Sequence, residues 1–375
     1  MKILHLGKLC PPNEGGIEVF SYDLLEYLNL KGTKADLLCF GEKTFKENYK
    51  GFDFYSCKMN IKLNSAPLSW DFIKIFKEIE KNYDLIHVHS PNPLAEILSL
   101  FTNKKVIAHW HSDIIRQKLT YFFYKPFQQM YLKKVDRIIC TSSQYLHTSK
   151  QLENFKDKGV VIPLAINTKK FEDVQTDKNF NQEFKKLKNE GKKIVLSIGR
   201  LVEFKGFEYL VESGKYINDN TAIVIAGNGP LFHSLKEKVK NLKLEEKVCL
   251  IGRVGIDKVD AYIKNCDVFC LPSITRNESF GLVLVEALYF DKPLITTDVY
   301  GSGMNYANQN GITGLVVPPR NPKALAEAIN KILSDNDLYI KFSQNAKERF
   351  KEFEISNIGD KIIGLYKEVL NDHKI

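Results

Sequence analysis

Short apolar runs alternate with longer amphipathic stretches through the first half of the chain. The short runs favour buried strands, and the stretches with helical periodicity favour helices that pack on a sheet. The predicted helices are Glu18–Leu30, Pro93–Phe101 and Ile115–Lys133. The predicted strands are Ile3–Leu6, Ala35–Phe40, Asp84–His89, Val106–Trp110 and Arg137–Thr141. This alternation predicts βαβ units with right-handed crossovers, and hence an α/β fold built on a parallel sheet.

The same alternation begins again near residue 193. Before it, residues 167–192 are rich in Lys, Asp, Asn and Glu, which predicts a solvated linker. The predicted helices that follow are Gly206–Ile217, Leu231–Leu242, Phe280–Phe290 and Pro322–Leu333. The predicted strands are Lys193–Ile198, Ala222–Ala226, Lys247–Ile251, Val268–Leu271 and Pro293–Thr296. We therefore expect two Rossmann-like domains, 1–166 and 193–354, facing across a cleft, and a helical tail over 355–375.

The composition is that of an ordinary globular enzyme. Of 375 residues, 44% are apolar and 26% charged, which excludes a disordered, collagen-like or coiled-coil chain. No stretch reaches the roughly 18–20 uncharged apolar residues of a membrane-spanning helix, and the first apolar run is too short for the core of a signal peptide. Seven cysteines without a CxxC pair indicate neither a disulfide framework nor a zinc site. We expect a cytoplasmic protein.

The formal net charge of +9 favours an anionic partner. The basic excess is spread along the chain, and no zinc-finger spacing or aromatic RNA-binding motif accompanies it. We therefore expect no nucleic-acid partner, and the charge leaves anionic lipid and sugar nucleotide as alternatives.

A glycine pair, Gly15 and Gly16, stands between the first predicted strand and its helix. Such a corner points backbone N–H groups and the positive end of a helix at one spot, where an anion binds. A tight turn before a helix explains the pair equally well.

A basic loop, Gly199–Gly206, follows the strand that opens the second domain. Ligands of open α/β folds bind at the carboxyl ends of parallel strands. Arg200 and Lys205 on this loop suit a diphosphate, Arg200 through its planar fork and Lys205 as a point charge. A solvated basic loop is the alternative.

The most informative motif runs from Glu278 to Glu286, with Phe280, Gly281 and Leu282 between them. We expect Glu278 in a loop, Gly281 at the start of a helix and Glu286 two turns into it. Free N–H groups near Phe280–Leu282 would be available to phosphate oxygens. A carboxylate on such an apolar helix needs a partner, which ribose hydroxyls or a neighbouring backbone group would supply.

Two histidines, His109 and His111, end a strand of the first domain, and we expect His111 to reach into the cleft. The HxH spacing is compatible with a metal, but no carboxylate ligand accompanies it. Asp335 and Asp337 fall between helices and indicate a turn. The sequence therefore favours a site without a metal or other cofactor.

These motifs, in this order and over essentially the whole length, resemble the retaining glycosyltransferases of family 4, which have the GT-B fold. The resemblance implies that Arg200 and Lys205 hold the donor diphosphate, assisted by the backbone at Gly16 and at Phe280–Leu282. It implies that Glu278 meets the hydroxyls of the transferred sugar and that Glu286 binds the ribose. The same likeness assigns His111 to the donor sugar, the loop of Arg253 and Val254 to the base, and the tail helix to the first domain.

The local likeness of residues 109–114 and 301–314 is to bacterial O-antigen and capsule sugar transferases, including mannosyltransferases. It implies a hexose donor, GDP-mannose first and a UDP-hexose second, and a lipid-linked or oligosaccharide acceptor. A catalytically inert sugar-nucleotide-binding subunit and a nucleotide-sugar epimerase of the same fold are the alternatives. The donor, the linkage and the oligomeric state stay open.

Aromatic and basic side chains are mixed over residues 118–134. This mixture suits peripheral contact with the inner face of the cell membrane. Packing of the aromatics under the sheet is the alternative, and we favour it slightly because Pro126 interrupts the run.

Overall fold

The computed structural model describes residues 1–11, 15–63, 66–115, 117–172 and 180–371. It divides the chain into two compact units. The first unit contains Met1–Ile166 and Glu354–Ile375, and the second contains Asn167–Phe353. The chain therefore completes the second unit before its last helix returns to the first.

The first unit is built on an eight-stranded sheet and a short separate hairpin, β5–β6. The strands are β1 (Lys2–Leu9), β2 (Lys34–Gly41), β3 (Phe45–Tyr49), β4 (Phe52–Lys58), β5 (Ile61–Leu63), β6 (Ala66–Leu68), β7 (Leu85–Ser90), β8 (Lys105–Trp110), β9 (Arg137–Cys140) and β10 (Gly159–Val161). The helices are α1 (Gly16–Leu30), α2 (Trp70–Ile79), α3 (Pro93–Ser99), α4 (Lys118–Lys134) and α5 (Ser143–Thr148). The sheet order is β10-β9-β8-β7-β1-β2-β4-β3, and every pair is parallel except β3–β4. The strand order reverses direction between β1 and β7.

The second unit contains a fully parallel six-stranded sheet of order β13-β12-β11-β14-β15-β16. The strands are β11 (Lys193–Ile198), β12 (Thr221–Ala226), β13 (Val248–Gly252), β14 (Val268–Leu271), β15 (Leu294–Thr297) and β16 (Gly314–Val317). The helices are α6 (Gln182–Asn189), α7 (Phe207–Ser213), α8 (Phe232–Asn241), α9 (Ile256–Asn265), α10 (Leu282–Tyr289), α11 (Met304–Ala307), α12 (Pro322–Ser334) and α13 (Asn336–Phe350). This is the Rossmann strand order, with its reversal between β11 and β14.

The predicted α/β class is confirmed, and every predicted strand and helix is present with ends displaced by a few residues. The strand β3 was not predicted because its side chains are largely exposed and polar, as on an edge strand that pairs with β4 alone. The helix α2 was also not predicted. It begins at Ser69, whose side chain accepts a hydrogen bond from the N–H of Phe72.

The segment 167–192, predicted as a linker, is part of the second unit where the structure describes it. A short 3-10 helix covers Thr168–Phe171, and α6 follows. Phe184 on α6 is completely buried, with ring centroids 4.7 Å from Phe180 and 4.8 Å from Tyr262. These aromatic side chains pack the helix onto the second unit among many lysines, which composition alone did not indicate. Residues 173–179 lie outside the described residues.

The last helix, α14 (Ile355–Asn371), packs against α1 of the first unit. Its apolar stripe, Ile358, Ile362 and Leu365, is buried as the periodicity predicts. The Tyr27 hydroxyl on α1 donates a hydrogen bond of 2.8 Å to Asp360. The predicted return of the C-terminal helix to the first domain is therefore confirmed. Residues 372–375 lie outside the described residues.

The two faces of the first sheet differ in chemistry. Side chains alternate between faces along a strand, so Leu4, Leu6, Ile86 and Val88 share one face and lie in an apolar core with α2 and α4. The positions between them face α1 and α14. These positions carry a row of buried histidines: His5, His87, His89, His109 and, just beyond β8, His111.

Candidate active site

Two loops meet at the strand-order reversal of the second sheet. One follows β11 and carries Arg200 and Lys205, and the other follows β14 and carries Glu278. The N–H of Ile274 donates to the carbonyl of Phe204 over 2.8 Å and joins the loops directly. In open α/β sheets this reversal is where ligands bind, so the two strongest sequence motifs converge at the expected place.

Lys205 and Glu278 form an ion pair, and both side chains are largely buried. Ser273 donates a second hydrogen bond of 3.2 Å to Glu278. Arg200 is exposed and makes no ion pair with any residue that the structure describes. The loops thus hold one paired cation and one solvated cation, which the sequence could not distinguish.

Glycines allow the loops to approach this closely. Gly206 has a φ of +68°, and a Cβ there would lie 2.2 Å from the carbonyl oxygen of Pro272 on the other loop. Gly281 has a φ of +80° and directly precedes α10. Both positions therefore require glycine for backbone conformation, and Gly206 also for space.

Glu286 lies on α10 and pairs with Lys170 over 2.7 Å. Its partner comes from the segment predicted as a linker, so the sequence did not indicate this pair. Asp260 on α9 is also in this neighbourhood. Burial raises the pKa of Asp260 to about 7, Lys170 opposes the rise, and Glu286 adds to it. The partner of Glu286 in the structure is thus Lys170, whereas we expected ribose hydroxyls or a neighbouring backbone group.

The other residues of the second unit that we predicted for the site lie in loops after its strands or at the start of α10. Phe280 is buried against Phe353, while Leu282 begins α10 and is partly exposed. Arg253 and Val254 follow β13, with Arg253 exposed and Val254 half-buried. All of them lie after the carboxyl end of a parallel strand.

In the first unit, Gly15 and Gly16 stand at the start of α1, as predicted. Glu18 lies in the first turn, and its carboxylate folds back over Gly15. A negative side chain at this position is stabilised by the partial positive charge of the helix end. The glycine corner therefore already interacts with an anion of the chain itself.

His111, which we expected to reach into the cleft, is buried within the first unit. It is 2% exposed, and its Nε2 lies 3.0 Å from Nδ1 of His89. Burial, and to a smaller extent the neighbouring His89, holds the pKa of His111 well below its usual value. The sequence carries a signal for these neighbours, because one HxH lies in β7 and a second one begins in β8 and ends just beyond it.

The face of α4 also differs from our expectation. Tyr131 is buried, and Pro126 lies inside a continuous helix. Five other apolar side chains are between 46% and 76% exposed: Leu119, Phe122, Phe123, Phe127 and Met130. Packing under the sheet, which we favoured, is therefore wrong for most of this segment. No helix in the described part of the chain is long and apolar enough to span a membrane.

A pocket of about 270 Å³ opens beside the first turns of α4. Its walls include Pro67, Leu68, Ile114, Tyr121 and Tyr124. The Tyr124 hydroxyl donates to the buried carboxylate of Glu96, whose pKa is raised by burial. The pocket is thus mainly apolar, with phenol groups at its wall.

Two Rossmann-like units and a last helix that returns to the first unit define the GT-B class of glycosyltransferases. Comparison with known proteins supports the same class. Residues 14–170 match the family described as Glycosyltransferase Family 4, and residues 178–349 match Glycosyl transferases group 1. The chain belongs to glycosyltransferase family 4.

Relatives with similar lengths carry related names. The chain is 29% identical to O-antigen chain mannosyltransferase C of Escherichia coli over 99% of both chains. It is 31% identical to the GalNAc-α-(1→4)-GalNAc-α-(1→3)-diNAcBac-PP-undecaprenol α-1,4-N-acetyl-D-galactosaminyltransferase of Campylobacter jejuni, over 69% of this chain and 68% of that protein. The structure of Anabaena HepE with UDP and glucose superposes with a TM-score of 0.78 at 17% identity, over 98% of this chain and 99% of that one.

Proposed function

We propose that the protein transfers a hexose from a nucleotide diphosphate donor to a sugar hydroxyl of a lipid-linked oligosaccharide, with retention at the anomeric carbon, in the synthesis of O-antigen or a related polysaccharide. The observation that carries the proposal is the convergence of Arg200, Lys205 and Glu278 at the strand-order reversal of the second sheet. The whole-length similarity to an O-antigen chain mannosyltransferase supports the polymer class.

The donor diphosphate would occupy this reversal. Its charge would be met by the solvated Arg200, by Lys205 and by the N–H groups at the start of α10. Lys205 would exchange part of its interaction with Glu278 for phosphate, which leaves Glu278 free for sugar hydroxyls. Glu286 would bind the ribose and keep Lys170 as its second partner.

The chemical demand of the transfer is stabilisation of the leaving diphosphate. Cations and a helix start can supply this without a metal ion. Retention would follow from a front-face route, in which the departing phosphate helps to deprotonate the acceptor hydroxyl. We place GDP-mannose first because of the mannosyltransferase relative, and a UDP-hexose second.

A panel of donors tests the proposal. GDP-mannose, UDP-glucose, UDP-N-acetylglucosamine and the free nucleotides are added to the full chain, and melting temperature and release of nucleoside diphosphate with an oligosaccharide acceptor are measured. A donor at a hundred times its Kd should add about 2.7 kcal/mol of stability. Binding without transfer to any acceptor would favour an inert subunit, and interconversion of donor sugars would favour an epimerase.

The acceptor would bind to the first unit, at the pocket beside α4. The exposed apolar face of α4 would enter the membrane interface, with the exposed Lys125 and Lys133 near anionic headgroups. Each such cation contributes about 1 kcal/mol at an anionic surface. This arrangement gives a cytoplasmic protein, peripheral on the inner face of the cell membrane, direct access to a lipid-linked sugar.

Vesicle co-sedimentation tests the membrane contact. Phe122→Ser with Phe123→Ser should reduce binding to vesicles that contain anionic lipid, because both rings would leave the interface. Tyr300→Ser, which alters a comparably exposed side chain of the second unit, is the matched control and should bind as the unaltered protein does. Equal binding by both variants would contradict a role for α4.

A further inference from the structure

Five of the eight histidines lie side by side on the face of the first sheet that α1 and α14 cover. Parallel pairing places His5 opposite His87 and His89 opposite His109. All five are at most 3% exposed, and burial is the main cause that lowers the pKa of each, that of His89 to about 3. At neutral pH each ring is therefore uncharged, with one N–H donor and one lone-pair acceptor.

The rings are linked by their nitrogens, and Tyr366 of α14 connects the two halves. His111 Nε2 lies 3.0 Å from His89 Nδ1, and His89 Nε2 lies 3.0 Å from His5 Nδ1. The Tyr366 hydroxyl lies 3.2 Å from His5 Nε2 and 2.7 Å from His87 Nδ1. His87 Nε2 lies 3.2 Å from His109 Nδ1. Six groups thus form one unbranched path from His111 to His109.

Each contact of this path needs one donor and one acceptor. With the Tyr366 hydroxyl acting as both, two arrangements of the protons satisfy every contact. If His111 donates from Nε2, His89 must accept at Nδ1 and donate from Nε2, and each later group follows in turn. All five rings then carry the proton on Nε2. In the reverse state all five carry it on Nδ1, and Ser21, 3.3 Å from His89 Nδ1, is an additional acceptor.

The geometry at Tyr366 favours the first state. A hydroxyl donor makes shorter hydrogen bonds than a ring N–H donor. The 2.7 Å contact fits donation by Tyr366 to His87, and the 3.2 Å contact fits donation by His5 to Tyr366. This direction puts the proton of every ring on Nε2.

The free ends of the path have opposite characters. His111 Nδ1 and His109 Nε2 are buried and make no hydrogen bond within the described part of the chain. In the favoured state His111 Nδ1 is a lone pair and His109 Nε2 is an N–H. Each end therefore needs a polar partner, and a hydroxyl group suits either.

A metal centre is the competing explanation, because nitrogens lie within 4.8 Å of one another in two trios, His5–His87–His89 and His89–His109–His111. The rings of His109 and His111 are stacked at 12°, and those of His89 and His111 at 5°. Ring lone pairs lie in the ring plane, so those of nearly parallel rings do not converge on one ion. The hydrogen-bonded path accounts for the close nitrogen pairs without an ion.

We propose that Tyr366 and these five histidines form one proton relay, which fixes the proton of all five rings on the same nitrogen and presents His111 Nδ1 as an acceptor for a substrate hydroxyl. A proton taken up at His111 Nδ1 would move the Nε2 proton of each ring and the hydroxyl proton of Tyr366 one step onward, and the Nε2 proton of His109 would pass to a hydroxyl or water oxygen at that end, so that the six groups stay neutral. The relay itself does not depend on the proposed function. Only the role of His111 toward substrate rests on it.

Nitrogen NMR of the full chain labelled with ¹⁵N in histidine tests the relay directly. At pH 7.5 we expect five neutral rings, all with the proton on Nε2. His147 and His233 are exposed and serve as internal references. Five rings with unlike tautomers, a charged ring among the five, or a stoichiometric tetrahedral complex with added Co²⁺ would overturn the relay.

Tyr366→Phe removes the hydroxyl that joins the halves. His5–His89–His111 and His87–His109 can then reverse independently, so we expect averaged tautomers at the distant ends, His111 and His109. Tyr27→Phe is the matched control, because it removes another hydroxyl between α1 and α14 without touching the path. Changes confined to His5 and His87 would show that the halves are not coupled.

Activity provides a separate readout for His111. Once a donor and acceptor are known, Tyr366→Phe should lower kcat about twofold, because averaged tautomers leave His111 Nδ1 an acceptor in about half of the molecules. Tyr27→Phe should retain kcat. Unchanged kcat with altered tautomers would remove His111 from the reaction and leave the relay intact, whereas absence of transfer from every donor would refute the proposed function alone.

Discussion

Acidification from pH 7.5 to pH 5.5 should destabilise the first unit far more than the second. The five buried histidines of the first unit have pKa values below the ordinary value in the folded chain. In the unfolded chain the pKa of each of these histidines is about 6.5. Between these values the unfolded chain binds more protons, so stability is present above pH 6.5 and is lost as the pH falls.

The magnitude follows from the number of rings. Each ring that stays neutral in the folded chain costs about 1.4 kcal/mol of stability over this pH interval, and five cost about 7 kcal/mol. Glu96, whose pKa burial raises, acts in the opposite direction and reduces the loss. A typical domain has about 5–15 kcal/mol in total, so the first unit should lose a large part of its stability.

Tryptophan fluorescence isolates this effect, because both tryptophans, Trp70 and the buried Trp110, lie in the first unit. Urea unfolding followed by fluorescence should shift to much lower urea at pH 5.5. His147→Gln with His233→Gln, at exposed positions, is the control and should keep the full pH dependence. A fluorescence midpoint that is the same at both pH values would refute the assignment of five neutral rings.

Three further results are expected. Glu278→Gln should lower kcat and kcat/KM together, because its contact with the sugar strengthens in the transition state, whereas Glu286→Gln should mainly raise the donor KM. Steady-state kinetics distinguish the two outcomes, and equal effects of Glu286→Gln and Lys170→Met would instead indicate that only the ion pair between these two residues matters. Deleting residues 355–375 uncovers the surface of the first unit against which the apolar stripe of α14 packs and should cost several kcal/mol, seen as a lower melting temperature of the first unit by fluorescence; an unchanged melting temperature would contradict docking of the tail. EDTA should leave kcat unchanged, because Arg200 and Lys205 meet the diphosphate charge; loss of activity restored by Mn²⁺ would show that a metal is required.

The fold could be predicted from the sequence where side-chain pattern and burial agree. The strand β14 is apolar throughout and β11 is mostly apolar, and the predicted bounds of both match the structure. The segment around Phe184 could not be predicted, because its lysines dominate the composition while a few aromatic rings decide its packing. The face of α4 was misjudged for a similar reason: clustered aromatics indicate an apolar environment, but not whether protein or lipid supplies it.

The candidate site could be predicted down to its loops but not to its pairings. Strand ends locate Arg200, Lys205 and Glu278 at one edge of the sheet, because parallel strands share that edge. That Glu278 takes Lys205 as its partner and Glu286 takes Lys170 depends on loop conformations and on a segment more than a hundred residues away in sequence. Spacing within one motif carries no information about such partners.

The histidine path shows which sequence signal was available and not used. His87 and His89 alternate on one strand, as His109 and His111 do around the end of the next, and the parallel register that places His89 opposite His109 puts both pairs on one sheet face. The order β7-β1 then brings His5 to the same face, at the strand-order reversal of the first sheet. The second sheet holds Lys205 and Glu278 at its own reversal. In each unit, buried polar or charged side chains therefore lie at the strand-order reversal of the sheet. Burial of such groups is costly, and this reversal is where an open α/β sheet binds a ligand.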